Sequence, residues 1–238
     1  MAGRHVIIFI GFRYLYFSVG TFLQAVIARK VRLSAEKCLI LRKSIDYCGR
    51  TVFEEGINFN KSYYNRILNI EKPTYRHELA DAYYVAGWLG PSIPKLAQLR
   101  EPLADEINLA GRTIKQLKLA NEHIQWNPDL EKAWHRFKTV ISVSAEEGLR
   151  NYNPADELVV LMDASYGYWS LIVLQTTSAD LDPDITKMQH LRPILFASGK
   201  FSASQTRWHI AQKELFPLVT LFNKFNFLAT GHPKPLRV

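Results

Sequence analysis

One stretch, ELVVLMDASYGYWSLIVLQ over residues 157–175, limits the fold of this chain more than any other. Two apolar runs flank Asp163 and the polar link Ala164-Ser165-Tyr166-Gly167. That grammar is a β-hairpin: a buried strand over 157–163, a tight turn, and a return strand over 168–176. Asp163 closes the first strand. An aspartate there is commonly a solvated turn residue. The same position, at the rim of a sheet, also suits an acid that holds a metal. The stretch by itself leaves both readings open.

The rest of the chain supplies mostly helices before this hairpin and one more strand after it. Residues 31–56 are mixed and contain a short hairpin around CGRTVFEEGI, and KSYYNRILNI at 61–70 reads as a short helix ended by Lys72-Pro73. A second helix from about Thr74 carries Leu79, Ala82, Tyr83, Ala86 and Leu89 on one stripe, and Gly90-Pro91 stops it. A third begins near Pro94 with Leu96, Leu99, Leu103 and Ile107. Residues 110–125 are basic and polar and read as an exposed connection. In WNPDLEKAWHRFKTVIS, Asn127 caps a helix, Pro128 takes its first turn, and Asp129 and Glu131 favour its dipole. Leu130, Ala133, Trp134, Phe137 and Ile141 make its buried face. Beyond the hairpin come a polar loop over 177–190, a strand near 192–198, and a helix from about Ser204 to Ala229. That helix has Trp208, Ala211, Leu215, Leu218, Phe222 and Phe225 as its stripe, and Pro217 is expected to kink it or end its first half.

The chain has 238 residues, room for one large domain or two small ones, and its 47% hydrophobic content is that of a globular protein. Thirty Lys+Arg against 22 Asp+Glu leave a formal charge of +8, which favours polyanionic partners such as nucleic acid. Cys38 and Cys48 form no CxxC pair and have no neighbouring histidine cluster, so neither a disulfide framework nor a structural zinc site is expected. Residues 6–27 are strongly apolar and of membrane-spanning length. Arg13 lies inside them, at a cost of about 2.5–3.5 kcal/mol in mid-bilayer. A buried element of a larger core is favoured over an anchor.

Three side-chain sets could carry chemistry. Asp180, Asp182 and Asp184 resemble the opening of a calcium loop, but Ile185 stands where glycine is needed and Leu191 where a bidentate glutamate belongs, so calcium is rejected. The histidines form no HExxH, and no glycine-rich phosphate loop is present. Asp163 and Glu214 remain. Glu214 is a solvated residue at the border of the helix stripe, or a carboxylate that approaches Asp163 across the sheet and shares a divalent cation with it.

LVVLMDASYGYWSLIVLQ, LRPILFASGKFSASQTRW and the triplet Lys213-Glu214-Leu215 together resemble the ribonuclease H domain of gypsy-class LTR retrotransposon reverse transcriptase polyproteins. Upstream, YCGRTVFEEGI, KPTYRHELADAYYVAGWLGPSIPKLAQLREPL and WNPDLEKAWHRFKTVIS are similar to the palm end, thumb and connection of the same polyproteins, so the likeness runs over roughly 31–231. The resemblance implies an α+β chain with an apolar leader or palm remnant at 1–30, palm end, thumb and connection at 31–150, and the N-terminal half of a ribonuclease H-like mixed sheet at 151–238. That half consists of three strands and a long helix. It implies hydrolysis of RNA in RNA–DNA hybrids, with Mg²⁺ held by Asp163 and Glu214, and a thumb that lies on duplex nucleic acid through sequence-blind phosphate contacts. No small-molecule cofactor and no membrane partner are expected. The family's third acid, in a Thr-Asp-His-like motif, and its fourth have no counterpart before Val238, and the polymerase Tyr-x-Asp-Asp has none in FRYLYFSVG. A catalytically incomplete fragment with an unpaired sheet edge is therefore expected, the alternative being a non-catalytic nucleic-acid-binding remnant.

Overall fold

The computed structural model describes residues 12–34, 42–47, 49–60, 62, 65, 68–107, 114–188 and 190–238. Within the leader, α1 (Phe12–Ala28) is helical. Among the described residues no helix is long and apolar enough to cross a membrane. The start of the leader, and most of the helix expected over 61–70, lie outside the described residues.

A short antiparallel meander follows, built from β1 (Ser44–Tyr47), β2 (Arg50–Phe53) and β3 (Gly56–Phe59). Four helices come next: α2 (Arg76–Trp88), α3 (Leu96–Ile107), α4 (Ile114–Ala120) and α5 (Pro128–Glu147). Their starts are set locally. The Glu78 carboxylate accepts from the Thr74 and Tyr75 N–H groups, and Asn127 Oδ1 accepts from Leu130 N at 2.9 Å. The stripes read from the sequence are the buried ones. Leu79, Ala82, Ala86 and Leu89 meet Leu99, Leu103, Ile107, Trp134, Phe137 and Ile141 in one core. Residues 110–125 depart from expectation. They are not an exposed connection throughout, because α4 buries Leu117 in that same core. A single turn of apolar contact was hidden among lysines.

From α5 the chain turns at Gly148, with φ +64°, into β4 (Leu149–Arg150), which pairs with β3 and closes the first sheet. The second sheet is β5 (Glu157–Ala164), β6 (Tyr168–Thr176) and β7 (Arg192–Lys200), antiparallel and in that spatial order. Strand alternation divides its faces. Leu158, Val160, Trp169, Leu171, Val173 and Leu195 pack under α6 (Ile210–Lys224) and α7 (Asn226–Ala229). The other face carries Asp163, Ser170 and Ser198 in one cross-strand row and receives α3. The α+β plan of a helical segment, then three strands and a helix, is the one expected.

Two details differ from expectation. The outer edge of β5 is paired at one point, near its start. Arg237 bridges to Val159 in parallel, its N–H reaching Leu158 O at 3.1 Å and its carbonyl taking Val160 N at 2.8 Å. The sheet is mixed for that reason. The last long helix also starts later, after a 3-10 turn at Gln205–Arg207, and runs through Pro217 without ending there. Its buried side is Lys213, Pro217, Thr220 and Leu221, while Leu215 is 57% exposed and Phe222 also faces solvent. Apolar residues occur all round this helix, so their spacing did not fix which side meets the sheet.

Candidate functional site

Asp163 stands one residue before the end of β5, on the face that receives α3. Met162 and Ala164, its strand neighbours, point the other way into the core under α6. The contact is made by Lys95, whose Nζ lies 3.2 Å from Asp163 Oδ2. Lys95 precedes α3 with φ +49°, a left-handed conformation that costs a non-glycine residue roughly 1–3 kcal/mol and persists where the surroundings enforce it. Two further contacts dock α3 on this face. Ala97 N donates to Ser198 Oγ at 3.0 Å, and Lys200 Nζ lies 3.0 Å from Glu101 Oε1. The nearby Tyr168 phenol and the Lys200 ammonium hold the Glu101 carboxyl below the ordinary glutamate range. The Tyr168 phenol itself is pushed up, first by burial and then by Glu101.

Glu214 lies in the second turn of α6 and is exposed. The residue before it is the unusual one. Lys213 is only 5% exposed, and its Nζ donates to Thr206 O at 2.8 Å and Tyr166 O at 3.4 Å. It also lies over the Tyr166 ring, 4.8 Å from the centroid. A buried ammonium is tolerated because it donates to two carbonyls and sits on an aromatic face. Through Lys213 the start of α6 is fastened to the β5–β6 turn, just past Asp163. Both predicted acids reach solvent, but they are not brought together: Asp163 projects on the α3 face, where it is ion-paired to Lys95, and Glu214 belongs to the helix packed against the other face. Among the described residues no group of three or more His, Cys, Asp or Glu side chains is placed to hold a metal.

The three loop aspartates do local work. Asp180 accepts from Thr177 Oγ1, Asp182 from Asp184 N, and Asp184 from Thr186 N. These are turn-forming contacts of the usual aspartate kind.

Sequence reading did not single out Lys95, and it named Lys213 only within the triplet Lys213-Glu214-Leu215, without its buried role. For Lys213 a signal existed: positions 213, 217, 220 and 221 share one helical face, but a lysine in that row reads as solvent-facing. For Lys95 there was none, since its partner lies far along the chain.

Residues 126–236 match the family model described as the RNase H-like domain found in reverse transcriptase. Over 219 residues the chain is 24% identical to the enzymatic polyprotein of cauliflower mosaic virus (strain D/H), covering 89% of this chain and 29% of that protein. It is 22% identical over 214 residues to the retrovirus-related Pol polyprotein from transposon 297 of Drosophila melanogaster, covering 87% of this chain and 18% of the relative. It therefore spans under a third of the curated relatives it matches. Among solved structures, the foamy viral protease-reverse transcriptase in complex with RNA/DNA hybrid superposes with a TM-score of 0.65 at 14% identity, over 95% of this chain and 27% of the other. The same foamy viral enzyme in complex with dsDNA gives 0.60 at 16% identity, over 93% of this chain and 41% of the other. The chain is thus similar in sequence, over residues 126–236, to the RNase H-like domain found in reverse transcriptase, and similar in fold to these solved structures along most of its length.

Proposed function

We propose that this chain is the thumb, connection and RNase H-like part of a gypsy-class retroelement reverse transcriptase polyprotein, and that it grips RNA–DNA hybrid or duplex nucleic acid. One observation carries the reading: the RNase H-like match at 126–236 continues upstream into a helical segment whose fold, over 95% of the chain, is that of a reverse transcriptase in complex with RNA/DNA hybrid. The formal charge of +8 supports it, because phosphate neutralisation supplies most sequence-independent affinity.

Asp163 and Glu214 are the acids the reading assigns to Mg²⁺. Each is a hard oxygen donor open to solvent, and Mg²⁺ is usually held by one or two carboxylates, with water and substrate phosphate completing its shell. Asp163 projects on the α3 face and Glu214 rides on the helix against the other, so the donor type fits while a shared ion is not preformed. When bound, the ion would supply water activation and charge neutralisation at the scissile phosphate. The protein's own part is positional. Lys213 holds the helix of Glu214 against the turn that follows Asp163. Lys95 occupies Asp163 in an exposed pair worth about 0–1 kcal/mol, weak enough to be displaced.

That ion pair, together with a two-carboxylate set, also favours a second reading in which the domain binds hybrid without cutting it. Fluorescence anisotropy on a labelled RNA–DNA hybrid tests the first claim. Saturable binding that weakens steeply with salt is expected, and Asp163→Asn and Glu214→Gln should retain it. Absence of hybrid binding at low salt sinks the proposal. Mg²⁺-dependent RNA cleavage that disappears in both variants selects the nuclease, and intact binding with no cleavage selects the second reading.

A further inference from the structure

A second cluster of cations lies away from both acids, at the seam between the helical segment and the second sheet. There α3 and the turn after α2 face β7 and the end of α6 across a cavity of about 230 Å³. Arg100 and Lys224 both line it, with Trp169, Phe196 and Phe225 as aromatic walls and the Ser198 hydroxyl beside them. No aspartate or glutamate lines it. Among the described residues neither cation meets a carboxylate: Arg100 donates only from Nη1, to Tyr83 O at 3.2 Å, and its Nε is buried without a hydrogen-bond partner. Lys224 makes no ion pair there.

Arg100 is held in a built seat. Its guanidinium lies 4.3 Å from the Tyr83 ring centroid, and Gly87 beneath it leaves room that a side chain would take, since a Cβ there would come within 2.7 Å of Nη1. Two like charges lining one small cavity repel, and a buried guanidinium donor left unpaired is costly. A dianion offsets both penalties at once. The rigid donor fork of Arg and the point charge of Lys are both phosphate-binding groups. The aromatic walls suit a flat ring next to that phosphate.

We propose that this cavity is a binding site for a terminal phosphate monoester carrying a nucleoside, either as a free mononucleotide or as the 5′-phosphorylated end of a nucleic-acid strand. The site is separate from Asp163 and Glu214, and it would hold whether or not the chain cleaves RNA.

The test uses the full chain, with Trp169 fluorescence and calorimetry as readouts. Adenosine 5′-monophosphate is titrated first, then a short single strand bearing either a 5′-phosphate or a 5′-hydroxyl. Saturable AMP binding is expected, weakened about tenfold or more by Arg100→Met and by Lys224→Met, the loss of one charge-assisted contact each. Gly87→Ala should weaken it too, by displacing the guanidinium while every charge is kept. Lys224 is exposed, so its variant should melt like the parent chain and separates lost binding from lost folding. Tighter binding of the phosphorylated strand than of its hydroxyl twin assigns the strand end. Equal binding of the two strands, with AMP still sensitive to the variants, assigns the free mononucleotide. No saturable AMP binding, or AMP binding unchanged in all three variants, overturns the site.

Discussion

At the scale of single residues, one buried lysine matters more to the second sheet than the acid beside it. Lys213 donates to two carbonyls at the β5–β6 turn and the 3-10 turn, whereas Glu214 faces water. Lys213→Met should lower stability by about 1–3 kcal/mol, the cost of leaving buried acceptors unpaired, while Glu214→Gln should stay within about 0.5 kcal/mol of the parent chain. Thermal melting of the two variants checks this. At the opposite end of β5, Ser178 Oγ and then Lys234 hold the Glu157 carboxyl below its ordinary range. The unfolded chain therefore takes up a proton on Glu157 at higher pH than the folded one. The stability this group contributes is complete above the ordinary glutamate range and is lost as pH falls through the lowered folded value. Acid-unfolding curves of Glu157→Gln should be flatter than those of the parent over that window. The sequence marked Asp163 and Glu214 by type and position. It could not mark Lys95, because an ion pair between a loop and a distant strand has no local pattern.

At the scale of elements, α2, α3 and α5 of the first core were legible almost residue by residue, whereas α4 was not. Their apolar stripes are narrow and their caps are explicit, so period and boundary agree. Asn127→Ala, which removes the cap of α5, should cost about 0.5–2 kcal/mol. α6 was legible as a helix and misjudged as a surface. Leu221 is 1% exposed and lies in the second core, whereas Phe222 faces solvent. Leu221→Ala is therefore expected to cost about 2–5 kcal/mol, and Phe222→Ala far less, as equilibrium denaturation of the pair will show. If the stripe read from the sequence were the buried one, the order would reverse. Pro217 lies inside α6 and is buried, so packing against the sheet maintains a helix that local propensity alone would interrupt.

At the scale of the whole molecule, the helical segment and the second sheet are joined by α3. One side of that helix fills the first core through Leu99, Leu103 and Ile107, and another docks on the row of Asp163 and Ser198. The docking contacts are largely exposed ion pairs, so Lys95→Ala should change stability by less than about 1 kcal/mol while leaving Asp163 open to a cation. Paramagnetic broadening of signals near Asp163 by Mn²⁺ should then appear at lower metal concentration than in the parent chain. The starts of α2 and α5, the hairpin and its following strand were legible in the sequence alone, since periodicity, capping and turn chemistry act over a few neighbouring residues. Tertiary structure decided which side of α6 is buried, that Arg237 bridges to Val159 on the edge of β5, that Lys95 pairs with Asp163, and that Arg100 and Lys224 share a cavity. Each of these depends on surfaces brought together from distant parts of the chain, and no local pattern records how such surfaces meet.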